Sequence, residues 1–427
     1  MIQQTISVAT NGKRNWFSAA IVIVAVVATA NMELAATAAT YYVSASGNDS
    51  NDGLKPETAW KTIAKVQGFS LQPGDIVLFE GGQTFNGTIK TASSGTAAAP
   101  IRFSSYGSGM AGIHAPSDAA DKATHAIYFN SNHFITVTNL DLSAPTGRGI
   151  LISANGSGTS DIVLDHLRIH DCGDDGLNSS NPADARVTLS NSLIANVQGC
   201  GVFLMGSSFV ISKCSITNTG LNTAGTIKYP LHGVYGKGPQ ITITDNVFTD
   251  FQVSGISLRY NGNVVENNKI SAITRGTRGI CYYQETDHPG TTRIINNTIS
   301  GVTMQGIAID NGSKSIDYTS DKTTASTTES FLITRNSITM KGDTSRERVE
   351  GMRLYKVPSA TLNGNVVWGT MTLVFNAYRP TGAYSESANT WQTKFSDESF
   401  MWNGVKMNFN KYRIASGQAT GDVVRNK

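Results

Sequence analysis

Seven residues between positions 232 and 310 combine the side chains that proton-transfer chemistry on an acidic sugar needs: His232, Tyr235, Lys237, Arg259, Arg278, Tyr283 and Asp310. In β-elimination at a uronic acid, a cation neutralises the sugar carboxylate so that the C5 proton becomes acidic. A base then takes that proton and an acid protonates the leaving oxygen. Arg259 or Arg278 can neutralise, Lys237 or His232 can act as base, and Tyr235 or Tyr283 can donate to the leaving group. Lys237, Arg259, His232 and Tyr235 are therefore the catalytic candidates, with Arg278, Tyr283 and Asp310 as substrate-binding candidates. The competing account is a solvated strand face carrying scattered charges and rings.

A repeat decides whether these residues can meet. The segments "HGVYGKG", "SGISLRYNGN", "RGICYYQ" and "QGIAID" each open on Gly and continue in alternation, with Gly233, Gly255, Gly279 and Gly306 spaced by 22, 24 and 27 residues. Between them recur an apolar pair, an Asn and a further apolar residue, as in "ITITDNVF" and "TRIINNTI". Short strands repeated every ~20–30 residues mark a parallel β-solenoid. The same Gly position extends to Gly149, Gly176, Gly201 and Gly351. Residues two and four after Gly should face outward and stack ~4.8 Å apart between coils. Together with the residue before Gly, these columns place the seven candidates on one patch. About ten residues before most glycines stands a polar position: Asn139, His166, Asn191, Cys214, Asn246, Asn268, Asn297, Asn336 and Asn365. Stacked amides there could hydrogen-bond along the axis, which makes His166 and Cys214 structural members of a ladder.

Composition agrees with an all-β, turn-rich chain: 42 glycines in 427 residues and 15% charged residues. The net charge of +3 is too small to argue for nucleic acid, though it suits an acidic polymer. Lys13 and Arg14 precede an apolar run from Trp16 to Ala30, and "ATAAT" supplies small residues for cleavage after Ala36 or Ala39. That layout predicts a signal peptide over 1–39, an uncleaved anchor being the alternative. A secreted or periplasmic location follows, with no membrane attachment after cleavage. Cys172, Cys200, Cys214 and Cys281 form no disulfide framework and no zinc pattern. One bridge is compatible with an oxidising compartment, and small buried residues are the simpler reading.

Residues 41–90 read as two strands around a short helix near Trp60–Gln67, with Asn-Asp-Gly and Pro-Gly-Asp turns. A solenoid must cover its open end. This opening is similar to the N-terminal cap of secreted right-handed parallel β-helix proteins, many of them polysaccharide lyases or related carbohydrate-active proteins. The segment ending "NKYRIASGQATGDVV" resembles their closing segment, so residues 40–378 are expected to form the β-helix with its N-terminal cap and 379–427 a C-terminal cap. Insertions "NTGLNTAGTIKYPL", "YYQETDHPGTT" and about 311–330 should overhang a binding face.

The stretch "HDCGDDGLNSSN" offers Asp171, Asp174, Asp175 and Asn178 as hard-cation ligands, so Ca2+ is a candidate cofactor. It resembles the Asp-Asp-Gly-x-Asp calcium segment of pectate lyases, with Asn178 in place of the last Asp. Where that family carries its lysine this chain has "GCGVFLMG", so Lys213 or Lys237 would have to stand in. The same "GDDG" resembles polygalacturonases, in which paired Asp residues act in an inverting hydrolysis. Their Asn-Thr-Asp, Gly-His-Gly and Arg-Ile-Lys signatures do not occur in order, and the alternative is an acidic turn. Together these readings predict an extracytoplasmic, monomeric enzyme cleaving an anionic polysaccharide, as a lyase first and a glycoside hydrolase second. A non-catalytic polysaccharide-binding role is the reading from another class.

Overall fold

Alternating apolar residues and regularly spaced turns wind the chain into a coil with three faces. The computed structural model describes residues 38–425, apart from 118–123, 153–156, 223–226, 228–229, 286–288, 312–327, 344, 347, 379–382 and 394–396. The expected leader lies outside the described residues except for its last two, and the Ala39 N–H already donates to Asp75 Oδ1 at 2.8 Å. Three sheets of thirteen strands each run the length of the solenoid. One coil gives Val264–Glu266 to the first sheet, Lys269–Ser271 to the second and Arg278–Tyr283 to the third. Each strand pairs in parallel with its equivalent in the next coil, and the terminal pair Phe400–Trp402 and Val405–Met407 is antiparallel.

The core is made of stacked β-branched residues. Val265, Ile294 and Ile333 line up from the first sheet, Ile270, Ile299 and Ile338 from the second, and Ile256, Ile280 and Ile307 from the third. All are fully buried, each contributing about 1.5–3 kcal/mol from apolar burial. The recurring Gly has a packing cause. A Cβ on Gly279 would lie 2.5 Å from the Gly306 carbonyl oxygen and 2.6 Å from Ile299 Cγ2. The third-sheet strand therefore begins too close to the next coil for a side chain.

The asparagine ladder runs from Asn246 through Asn268, Asn297, Asn336 and Asn365 to Asn389. Each Nδ2 donates to the next Oδ1 at 2.9–3.0 Å, and Asn389 ends it on Asp422. Cys214 sits at its start, its N–H donating to Asn246 Oδ1. Three expected members are out of register. Asn139, His166 and Asn191 occupy the preceding left-handed turn position, with φ of 54°, 50° and 47°. The buried positions there belong to Leu140, Leu167 and Ser192. Short polar side chains tolerate the left-handed region, and that preference imitated the ladder signal.

At the N-terminal end the helix Ile63–Gln67 buries Ile63 and Val66, with Thr62 Oγ1 accepting from the Lys65 N–H. It is shorter than the expected Trp60–Gln67. The buried Trp60 instead stacks on Tyr41 at 4.7 Å. At the other end, strands continue past residue 378 to Val423–Arg425, so the solenoid runs beyond the boundary read from the sequence. The helix Phe409–Ser416 packs Tyr412 on Phe400 at 5.0 Å. All four cysteines are free and buried. No helix among the described residues is long and apolar enough to cross a membrane.

Candidate functional site

The third sheet carries the candidate chemistry on its outer face, in the register the glycine columns require. Tyr235, Ser257, Cys281, Ala308 and Arg353 are successive Cα partners, as are Tyr283, Asp310 and Tyr355. Outward direction does not bring exposure, however. His232, Tyr235, Arg259, Arg278, Tyr283 and Asp310 are all buried. Leu231 and Ile227, from the insertion before Gly233, pack with Cys200, Phe203 and Tyr235.

One group of expected residues does come together. The Arg259 guanidinium lies between two rings, 4.7 Å from the centre of Tyr235 and 5.0 Å from that of Tyr283. Its Nη1 donates to Ser257 Oγ at 2.7 Å. Lys237 Nζ lies 5.8 Å from the Tyr235 ring, and His232 meets Tyr235 edge to face at 5.0 Å. Burial first, then the charges of Arg259 and Arg278, hold His232 well below its ordinary pKa. That favours the neutral imidazole, and among the described residues neither ring nitrogen has a hydrogen-bond partner.

Glu285 completes this group. Its two oxygens lie 3.1 Å from Lys237 Nζ and 3.5 Å from Arg259 Nε. It sits on the insertion after Gly279, "YYQETDHPGTT", whose length variation marked an overhanging loop without singling out the carboxylate.

Arg278 and Asp310 belong to a different group. Arg278 Nε donates to Gln305 Oε1 at 2.9 Å, and Gln305 Nε2 donates to Glu350 Oε2 at 2.7 Å. Arg353 bonds Asp310 at 2.8 Å and approaches Glu350 at 3.4 Å. Burial raises the Asp310 carboxyl pKa against the opposing pull of Arg353. The expected single patch is thus two bonded clusters, one around Arg259 and Glu285 and one around Gln305, Glu350 and Arg353, which adjoin where Tyr283 packs with Ala308.

The four expected cation ligands do not form one set: Asp174, Asp175 and Asn178 adjoin, and Asp171 lies apart. Asp171 is on the second sheet, where hydrogen bonding to His170 holds its carboxyl below the usual range. Asp174 pairs with Arg148 at 2.6 Å. Asp175 is fully buried, accepts from the Cys200 N–H and from Asn178 Nδ2, both at 2.6 Å, and is pushed up to about 6 chiefly by burial. Among the described residues no group of three or more His, Cys, Asp or Glu is placed to hold a metal ion. Arg148 supplies positive charge at Asp174 and Asp175, so the donor set fits an internal ion pair better than calcium.

Comparison with known proteins agrees with this architecture. A family model described as the right handed beta helix region matches residues 125–289. The chain is a right-handed parallel β-helix. Lacto-N-biosidase of Bifidobacterium longum subsp. longum is 46% identical over 74 residues, 16% of this chain and 5% of that protein. The β-helix therefore aligns with only a small part of that curated relative. Among solved structures, the GH136 lacto-N-biosidase of Eubacterium ramulus superposes with a TM-score of 0.52 at 16% identity, covering 91% of this chain and 68% of that one. XylC in complex with xylose superposes with a TM-score of 0.61 at 10% identity, covering 91% and 86%.

Proposed function

We propose that this β-helix is an extracytoplasmic enzyme that cleaves an anionic polysaccharide by β-elimination, with the polymer lying along the third sheet. The observation that carries this reading is the convergence of Lys237 and Arg259 on one carboxylate, that of Glu285. A substrate uronate takes the place of Glu285 between the two cations, which draws charge from the sugar and acidifies its C5 proton. His232 is held as the neutral imidazole and so can accept that proton. It is 1% exposed, so substrate reaches it only by displacing part of its surroundings. Tyr235, in ring contact with both His232 and Arg259, donates to the leaving oxygen. The similarity to two lacto-N-biosidases and to a xylose complex supports a carbohydrate as ligand.

A second reading, hydrolysis, is favoured by one observation. Asp175 is raised to about 6 beside Asp174, which is ion-paired with Arg148, and a carboxyl of raised pKa next to an ion-paired one is the acid–base pattern of glycoside hydrolases. The products separate the two. Purified protein with a panel of uronate polymers is followed for ultraviolet absorbance of unsaturated ends and, in parallel, for new reducing ends. Absorbing product establishes elimination. Reducing ends without absorbance overturn it in favour of hydrolysis, and binding with neither product overturns both in favour of a non-catalytic role.

A further inference from the structure

Four strands along the third sheet from His232, a pocket of about 300 Å³ opens between Arg348, Arg353, Tyr355, Asn376, Tyr378 and Met401. We propose that it is a binding subsite for a single carboxylated sugar residue of the polymer. Its size is at the small end of ligand pockets, which run from ~300 to 1,000 Å³, and suits a monosaccharide unit.

The lining is built rather than incidental. Asn376 is 2% exposed, and its Nδ2 donates to Glu350 Oε1 at 2.6 Å, while its enclosed Oδ1 has no partner among the described residues. A buried amide oxygen without a donor is costly, and a sugar hydroxyl that displaces part of the wall can supply one. Arg353 is neutralised by Asp310 and Glu350. Arg348 is exposed and, among the described residues, has no ion-pair partner. It is therefore the cation available to a ligand carboxylate.

The rings shape the floor. Tyr355 and Tyr378 stack in parallel at 5.2 Å, and the cations of Arg353 and Lys356 lie over Tyr355. The faces of Tyr355 are thus occupied, and a sugar meets its edge and hydroxyl and the Tyr378 ring. A Cβ at Gly404 would come within 3.3 Å of the Tyr378 ring, so the glycine keeps this wall open. The nearest strand of the pocket, Glu350–Tyr355, is three coil steps from Ser254–Leu258 and four from His232–Gly236, about 14–19 Å from the Lys237–Arg259 pair. One extended oligosaccharide can therefore reach both.

The subsite rests on the proposed function only for the ligand's charge, and its test needs no turnover. Binding of oligogalacturonate and oligomannuronate is measured by calorimetry for the wild type, R348A and R348K, with an uncharged oligosaccharide as control. The expected result is binding of an oligouronide that weakens about tenfold or more in R348A, the scale of one charge-assisted hydrogen bond, and recovers in R348K. Equal affinity of R348A and wild type overturns the subsite, as does equal affinity for the uncharged control or no oligouronide binding. Binding without product in the cleavage assay leaves the subsite standing and removes only the enzymatic reading.

Discussion

Glu285 holds Lys237 at 3.1 Å from the loop that follows the strand Arg278–Tyr283, so one carboxylate of the chain occupies the position from which two cations act. Replacing either cation should remove substrate neutralisation. Lys237→Ala and Arg259→Ala are each expected to lower turnover of a uronate polymer by about 10²–10³-fold, with unchanged far-ultraviolet circular dichroism. Full activity in both variants sinks the assignment.

The same contact predicts an opposite effect for its acidic partner. If Glu285 competes with the substrate carboxylate, Glu285→Gln should lower KM by roughly fivefold, the upper range for a partly exposed ion pair. A KM unchanged or raised would show that Glu285 orders the cations instead of competing for them.

The ladder gives a paired test of register. Asn297 accepts from the Asn268 N–H and Nδ2, and its own Nδ2 donates to Asn336 Oδ1 and to the Val265 and Ile295 carbonyls. Asn297→Ala strands several buried groups, so denaturant unfolding should show a loss of about 3 kcal/mol or more. Asn191 is exposed in the turn, and Asn191→Ala should cost only about 1 kcal/mol for the left-handed backbone. Equal costs would return Asn191 to the ladder.

That contrast shows why the fold was more legible in the sequence than the site. Glycines at Gly233 to Gly306 mark a steric constraint repeated in successive coils, and the strand register follows from them. Burial of the outer face draws on Ile227 and Leu231, from a segment of irregular length that has no period. The subsite residues Asn376 and Tyr378 escaped notice because Val374 stands where the repeat has Gly, which removes the landmark from that strand. Asp171 was grouped with Asp174 by adjacency in sequence, although a turn between sheets separates them.

Arg148 supplies the counter-charge that a bound cation would bring to Asp174 and Asp175. Chelator is therefore expected to leave activity unchanged, and calcium should not raise the melting temperature of the wild type. Loss of activity under chelator, restored by calcium, would put Asp174, Asp175 and Asn178 back into a metal site.

The C-terminal end of the solenoid should make stability fall as pH rises. Glu386 is buried and accepts from Tyr384 Oη at 2.5 Å and from Tyr412 Oη. Burial first, then the neighbouring Asp422, raises its carboxyl pKa well above the ordinary range. Burial and Glu386 raise both tyrosines in turn. A group whose pKa is raised by folding stabilises fully below its unfolded value, about 4.3 for Glu, and that contribution is lost as pH rises through the folded value. The two tyrosines act with the same sign at higher pH. Thermal unfolding followed from mildly acidic to alkaline pH should therefore show a decline that begins in the acidic range. Glu386→Gln, which keeps an acceptor but cannot ionise, should flatten the early part of that decline and leave the alkaline part due to Tyr384 and Tyr412. An identical pH profile in the variant would place the early decline elsewhere, with Asp175 the next group to replace, since its carboxyl is raised to about 6.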